Sequence, residues 1–419
     1  MSAAKPPIRI DRVAPDRREP GSILFTTRPG SIRNQKAQSG WVLALDRQGG
    51  FALDITSAAA TQDVRWNATT GTIFYSQAGA GRLIEIDRNG RELRCWHARG
   101  RWQDKQPPAG SIELPIEVLH HTFTFMPNGN FLVLSAEARD YPDWYTSTTD
   151  PHAPRAPARL VGDVVTELTP EGRLVHEWRI LDMLDPYRIT HGSMSDYWQK
   201  QGFPGAYDWS HCNAVAYSAE DDSLIVSLRH QDCIVKFDYA TGRLRWILGN
   251  HGNWKDAFKP YLLTPEAGTE WQYHQHDCSF TGGGRILCFD NGNFRVPAFS
   301  TPMDDTENYS RVVEFEVDEA ARSVRQVWCY GGPGPDRIFA CYQGGALRLP
   351  ETGNTFMTFG GICFKDGRPT RENGSGAFGR ARLIEATQSG DVVLDLHIDD
   401  SASAKRAPYS AFRADLMPA

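Results

Sequence analysis

The sequence predicts an all-β protein, a six-bladed β-propeller with loop insertions carrying short helices. Three observations lead there. A unit of four short strands recurs six times across 419 residues. Each unit keeps the same order, an alternating strand pair, a third strand, an Asp/Asn/Gly turn and a closing strand, which is the pattern of a propeller blade. Twelve Trp and many aromatic-rich segments favour strands over helices. Two β-sandwiches of similar strand count are the competing architecture, but they give no reason for one turn chemistry to return six times. A closed ring does, because it removes the open edges that an isolated sheet exposes.

The units follow in order. Residues 21–26 and 41–53 open the series; 63–66, 71–75 and 83–96 form the second unit; 121–125, 129–134 and 164–178 form the third. The fourth is a hairpin around an acidic turn at Ala219-Glu220-Asp221-Asp222, followed by 234–246. The fifth comprises 276–280, 285–289 and 312–328, and the sixth 345–349, 354–359 and 382–394. Residues 1–20 read as an N-terminal extension and 21–415 as a single domain. Two insertions, 139–162 and 181–205, lie next to the fourth unit in sequence. Loops held on a rigid scaffold commonly carry substrate contacts, although plain surface excursions fit them equally well.

A net charge of -6 provides no basic surface for nucleic acid or anionic lipid. The eight cysteines show no CxxC spacing and several fall inside strands, so buried free thiols are expected over a disulfide framework. The N-terminus has no apolar segment of the kind a secretory signal needs, and no run has the length of a membrane span. The expectation is a cytoplasmic protein, or a periplasmic or secreted one if a signal peptide has been removed.

Three units begin their first strand with histidine: His121, His211 and His276. First strands line the central channel of a propeller, so equivalent positions converge. His211 and Asn213 are two apart and face one side of a regular strand, and the returning strand brings Arg229 or His230 beside them. By the same parity His120 should point away from the side that His121 faces. Any single histidine is most simply a core residue satisfied by a carbonyl. Three in register, one accompanied by Asn and Arg, point instead to a receptor for an anionic group. A metal site is the second reading, opposed by the fixed charge of Arg229; no metal and no cofactor are expected. An imidazole could act as nucleophile, another could move a proton, and Arg229 could hold the oxygens. Hydrolysis, phosphoryl transfer and sulfuryl transfer all fit. Neither a Walker motif nor a GxSxG elbow is present.

These residues resemble the arylsulfotransferase family. The resemblance rests on Asp208-Trp-Ser-His211-Cys-Asn213-Ala-Val-Ala-Tyr, Asp221-Asp-Ser-Leu-Ile-Val-Ser-Leu-Arg229-His-Gln, Gln275-His276, Phe289-Asp-Asn-Gly-Asn-Phe-Arg295 and Leu349-Pro-Glu-Thr-Gly-Asn-Thr, and runs from about residue 20 to 415. It implies a six-bladed propeller that moves a sulfuryl group from an aryl sulfate donor to a phenolic acceptor without a nucleotide sulfate. His276 would be the transiently sulfurylated nucleophile of a ping-pong cycle. His211, Asn213, Arg229 and one histidine of the 120–121 pair would line the same site, register selecting His121. The phenolic proton falls to His121 or His211. Asp277-Cys278 after His276, and Thr122 after the first pair, depart from the family's pattern. A metal-dependent propeller hydrolase and a non-catalytic binding platform are the alternative readings.

Overall fold

The computed structural model describes residues 5–30, 39–372, 376–403 and 407–419. Their strands form six sheets in an all-β, propeller-like arrangement. Helices are few and short, and two of them, Ile180–Met183 and Tyr197–Gln201, mark the second insertion. The sheet that contains Ser22–Pro29 runs Tyr409–Met417, Ser22–Pro29, Gly40–Asp46, Phe51–Ser57 from first strand to last. Val64–Asn67, His120–Phe125, Cys212–Ser218, His276–Gly282 and Gly345–Arg348 are the first strands of the other five. From His120–Phe125 round through Tyr409–Met417 to Val64–Asn67 the first strands touch in succession, and His120–Phe125 touches Thr72–Gln77 of the second sheet, which completes the circuit.

The middle strands are buried on both sides. All six residues of Ser223–Leu228 and of Thr72–Gln77 are buried, because each sheet packs its faces against both neighbours. One apolar cluster joins Ala214, Ile225 and Trp246 to Cys278, Ile286 and Phe315; another joins Leu24 and Val42 to Ile73 and Ile84. The core therefore lies between sheets. Membership in a middle strand overrides the alternation expected of a half-buried one.

The recurrent turn has a common geometry. Gly49, Gly90, Gly172 and Gly390 adopt φ of 89°, 84°, 83° and 90°, and their amides donate to the carbonyls of Asp46, Asp87, Thr169 and Thr387. A left-handed fourth position explains the glycine. The closing strands carry a second repeat device. The indoles of Trp96, Trp178, Trp246 and Trp328 donate to Pro170 O, Tyr239 O, Glu319 Oε1 and Gln388 O at 2.8, 3.0, 2.9 and 3.0 Å. Each acceptor lies in the turn before the closing strand of the next sheet, so four sheets are linked to their successors in one sense round the ring.

Both chain ends are built into sheets. Ile8–Val13, within the expected extension, pairs antiparallel with Val392–Ile398. Arg18 forms a buried ion pair with Glu385 at 2.9 Å, and the Glu19 carboxylate accepts from the amides of Glu351 and Thr352. The first insertion is an extended hairpin, Phe131–Trp144 against Ala156–Leu168, and not a loop. All eight cysteines are free, and all except Cys329 are buried. Among the described residues no helix is long and apolar enough to cross a membrane.

Candidate active site

The three histidine-bearing first strands are interrupted where the histidines fall. Strand register shifts between His120 and Phe123, between Cys212 and Ala214, and between His276 and Ser279. His121, His211 and Asp277 adopt φ of 54°, 48° and 61°, the left-handed region that residues with side chains rarely enter. Bulges of this kind re-aim side chains. Ring centroids lie 4.8 Å apart for His121–His211, 6.4 Å for His121–His276 and 6.5 Å for His211–His276. The structure thus brings together the three histidines singled out by register. His211, Arg229 and His276 line a cavity of about 320 Å³, with Tyr197, Phe294 and Tyr342 adding aromatic wall.

Two side chains lie elsewhere than strand parity places them. Asn213 faces the neighbouring first strand: its Nδ2 donates to Gln275 O at 2.8 Å and its Oδ1 accepts from Asp277 N at 3.2 Å. His120 does not point away from its neighbour. Its Nδ1 meets His121 Nδ1 at 2.8 Å, while its Nε2 faces Ser135 O at 3.1 Å and Asp163 Oδ1 at 3.3 Å. The left-handed backbone at His121 and His211 breaks the two-residue alternation on which parity depends.

Hydrogen bonding behind each ring fixes its protons. The Asn291 amide nitrogen donates to Ala340 O and Gln343 O, at 2.7 and 2.8 Å, so its oxygen faces His276 Nδ1 at 2.7 Å. His276 must donate from Nδ1, which leaves Nε2 with its lone pair. That Nε2 is buried and has no hydrogen-bond partner in the protein. His120 donates from Nε2 and therefore accepts at Nδ1 from His121, so His121 also presents a bare Nε2. His211 Nδ1 lies 2.5 Å from Asp208 Oδ2. Arg229 Nη1 donates to His230 Nε2 at 2.5 Å, Nη2 donates to Cys341 O at 3.1 Å, and the buried Nε has no protein partner. Asp163 accepts from Ser210 Oγ and Cys212 N, at 2.5 and 2.6 Å, and so holds the backbone on either side of His211.

A layer containing one residue from each sheet lies beside the histidines: Arg413, Asp63, Thr122, Asn213, Asp277 and Gly345. Arg413 is its hub. The guanidinium donates to Asn213 O at 2.6 Å, Asp277 Oδ1 at 3.1 Å and Thr122 Oγ1 at 3.3 Å, and Thr122 donates to Asp63 at 2.8 Å. A Cβ at Gly345 would come within 2.7 Å of Arg413 Cβ and 3.0 Å of Asp277 Oδ2; glycine there leaves room for the hub. The departures at Thr122 and Asp277 are both partners of Arg413. Phe412, one residue earlier, packs on His121 and His276 with centroids 5.9 and 6.3 Å away.

Burial, reinforced by neighbouring cations or imidazoles, holds His121, His211, His230, His274 and His276 well below the usual imidazole range. Burial pushes the carboxyls of Asp208 and Asp232 up to about 7. These shifts predict a pH dependence. Below about pH 6.5 the unfolded chain protonates five imidazoles that stay neutral in the fold, so stability is complete above that value and falls with acid. The two carboxyls act oppositely between about pH 4 and 7, because the fold retains protons there that the unfolded chain has released. Five outweigh two. The urea midpoint should drop from pH 7 toward pH 5, and a midpoint that rises over that interval contradicts the assignment.

Asn291 yields a second prediction. Asn291→Ala removes the acceptor that selects the tautomer of His276, and should lower kcat about 10²-fold with less change in KM. The measurement is a rate profile over donor concentration and pH. Asp163, Asp208, Asn291 and Arg413 were not assigned from sequence. Asp208 and Asn291 fall inside the matching motifs, three residues before His211 and two after Phe289; Asp163 and Arg413 carried no local signal.

A propeller-like scaffold that brings buried imidazoles at its first strands, and an arginine just after a second strand, to one cavity defines a candidate anion-handling site. The sequence model of the Arylsulfotransferase (ASST) family matches residues 25–407. The chain belongs to the arylsulfotransferase family. Over 255 residues it is 28% identical to an arylsulfate sulfotransferase of Escherichia coli O6:H1 and 27% identical to one of Lelliottia amnigena. Each match covers 50% of this chain and 42% of the relative, so the chain matches less than half the length of these relatives. Among solved structures, a Bacteroides caccae protein of unknown function gives a TM-score of 0.44 at 14% identity, with 94% of this chain and 98% of that one covered. The WD40 propeller domain of Doa1 gives 0.39 at 9% identity, with 97% and 99% covered.

Proposed function

We propose that the protein is a sulfotransferase that moves a sulfuryl group from an aryl sulfate to a phenol through a sulfohistidine at His276, on a propeller whose six sheets are six blades. One observation carries this reading. A bare imidazole nitrogen, His276 Nε2, and an unpartnered guanidinium N–H, Arg229 Nε, are both buried in residues that line one cavity. The first is a nucleophile; the second is a donor for an oxyanion.

The lone pair of His276 Nε2 attacks the sulfur of the aryl sulfate, and the sulfur–oxygen bond to the ring breaks as the nitrogen–sulfur bond forms. Arg229 neutralises charge on the peripheral oxygens, as cationic clamps do in phosphoryl transfer. The departing phenolate takes a proton from His211 Nε2. His211 suits this task better than His121, because the carboxyl of Asp208 stands directly behind it, whereas the imidazole of His120 stands behind His121. With Asp208, whose carboxyl is pushed up to about 7 by burial, it shares one exchangeable proton, carried on the cavity-facing nitrogen. An acceptor phenol then returns its proton to His211 and attacks the sulfur, and the nitrogen–sulfur bond breaks. The positive charge on sulfurylated His276 is relieved through Nδ1–H to Asn291. This cycle needs neither metal nor nucleotide.

The test is incubation with a chromogenic aryl sulfate and no acceptor, followed by mass analysis of the peptide containing His276. An acid-labile, base-stable sulfuryl adduct on that residue is expected, discharged by added phenol. Release of phenol with no adduct on any histidine overturns the mechanism. Persistence of turnover only in the presence of a metal, and its loss on chelation, would favour a hydrolase instead.

A further inference from the structure

We infer that the imidazoles of His121, His211 and His276 also form a binding site for a divalent d-block cation of the zinc type, and that filling it blocks chemistry at His276. One ring nitrogen from each of the three lies within 4.8 Å of the other two, and all three residues are buried. The backing hydrogen bonds identify those nitrogens. Nδ1 is engaged on every ring, by His120, Asp208 and Asn291 respectively, so Nε2 is the atom left for a shared cation. Metal-binding imidazoles are held in this way, by a second group that fixes the tautomer and ring orientation. Three imidazoles around an open position make up the donor set of zinc sites that bind a water or an anion.

A second grouping, Asp208 with His211 and His230, does not compete. Its members face one another through the bonds that position His211: His211 Nδ1 lies on Asp208 Oδ2, and His230 Nδ1 on Asp208 O at 2.8 Å. Their facing atoms are already engaged. The cation therefore goes to the Nε2 side. Arg229 borders the same cavity and its charge opposes a dication, which makes the site weaker than a resident metal centre and sensitive to that one residue. Exclusion of sulfuryl transfer follows from electron count, since the lone pair of His276 Nε2 can bind a metal or attack sulfur, but not both at once. The blocking half of the inference rests on the function proposed above; the binding half does not.

The experiment uses the full chain freed of metal by chelation. Zinc chloride is titrated calorimetrically, and cobalt chloride is followed by the visible bands of a four-coordinate cobalt centre. One equivalent is expected to bind. His121→Ala and His211→Ala should each weaken binding at least about tenfold, and Arg229→Met should tighten it by a similar factor. His121→Gln, which retains a polar side chain, provides a second variant should the alanine form fold poorly. Zinc should suppress the donor-derived adduct on His276, and chelation should restore it. Absence of stoichiometric binding at millimolar zinc, or binding unaffected by both histidine substitutions, overturns the site. An undiminished adduct with zinc bound overturns the blocking role. Zinc binding in a protein that forms no adduct at all leaves the site standing and refutes the sulfohistidine instead.

Discussion

His276→Ala is expected to lose turnover of a chromogenic aryl sulfate by on the order of 10⁴-fold, the largest effect of any single substitution in the cavity. The residue is fully buried, and its ring donates to Asn291. Losing the ring leaves the Asn291 oxygen unpaired, at about 1–3 kcal/mol, so the protein should remain folded while its nucleophile is gone. Added imidazole can enter the space vacated by the side chain and should restore part of the rate, whereas it should do nothing for Asn291→Ala. Full turnover in His276→Ala would remove His276 from the mechanism.

Arg413→Met should produce the largest loss of stability, about 3–5 kcal/mol in urea unfolding. The methionine fills much of the same volume but strands two buried carboxylates. Asp63 keeps Arg65 at 3.5 Å as an alternative partner, whereas Asp277 loses its one ion pair among the described residues. Adding Asp277→Asn to Arg413→Met should therefore recover a sizeable share of the loss, while Asp63→Asn recovers less. Equal recovery from both would show that the hub does not hold Asp277 in particular.

How far the sequence was legible depended on how local each determinant is. The strand order could be read because its markers are short-range: the alternating strand pair that starts each unit, and the glycine turn after Asp46 or Asp87. The convergence of His121, His211 and His276 could be read because a repeat places equivalent residues at equivalent sites. Asn213 and His120 were misplaced because parity assumes a regular strand, and a left-handed residue at 121 or 211 shifts the count by one. Asp163 was invisible for a different reason. It acts on Ser210 and Cys212 from another sheet, 47 and 49 residues away, and nothing in its own neighbourhood marks it. Arg413 is more distant still from its partners.

The placement of Tyr409–Met417 has a consequence for how the protein is made. This strand is the first strand of the sheet that contains Ser22–Pro29, and it delivers Phe412 against His121 and His276 and Arg413 into the polar layer. A nascent chain can already contain every residue of the proposed chemistry while Ser22–Pro29 still has a bare edge and Asp277 no counter-charge. Closure of that sheet and neutralisation of Asp277 therefore both wait for the Tyr409–Met417 segment to be synthesised.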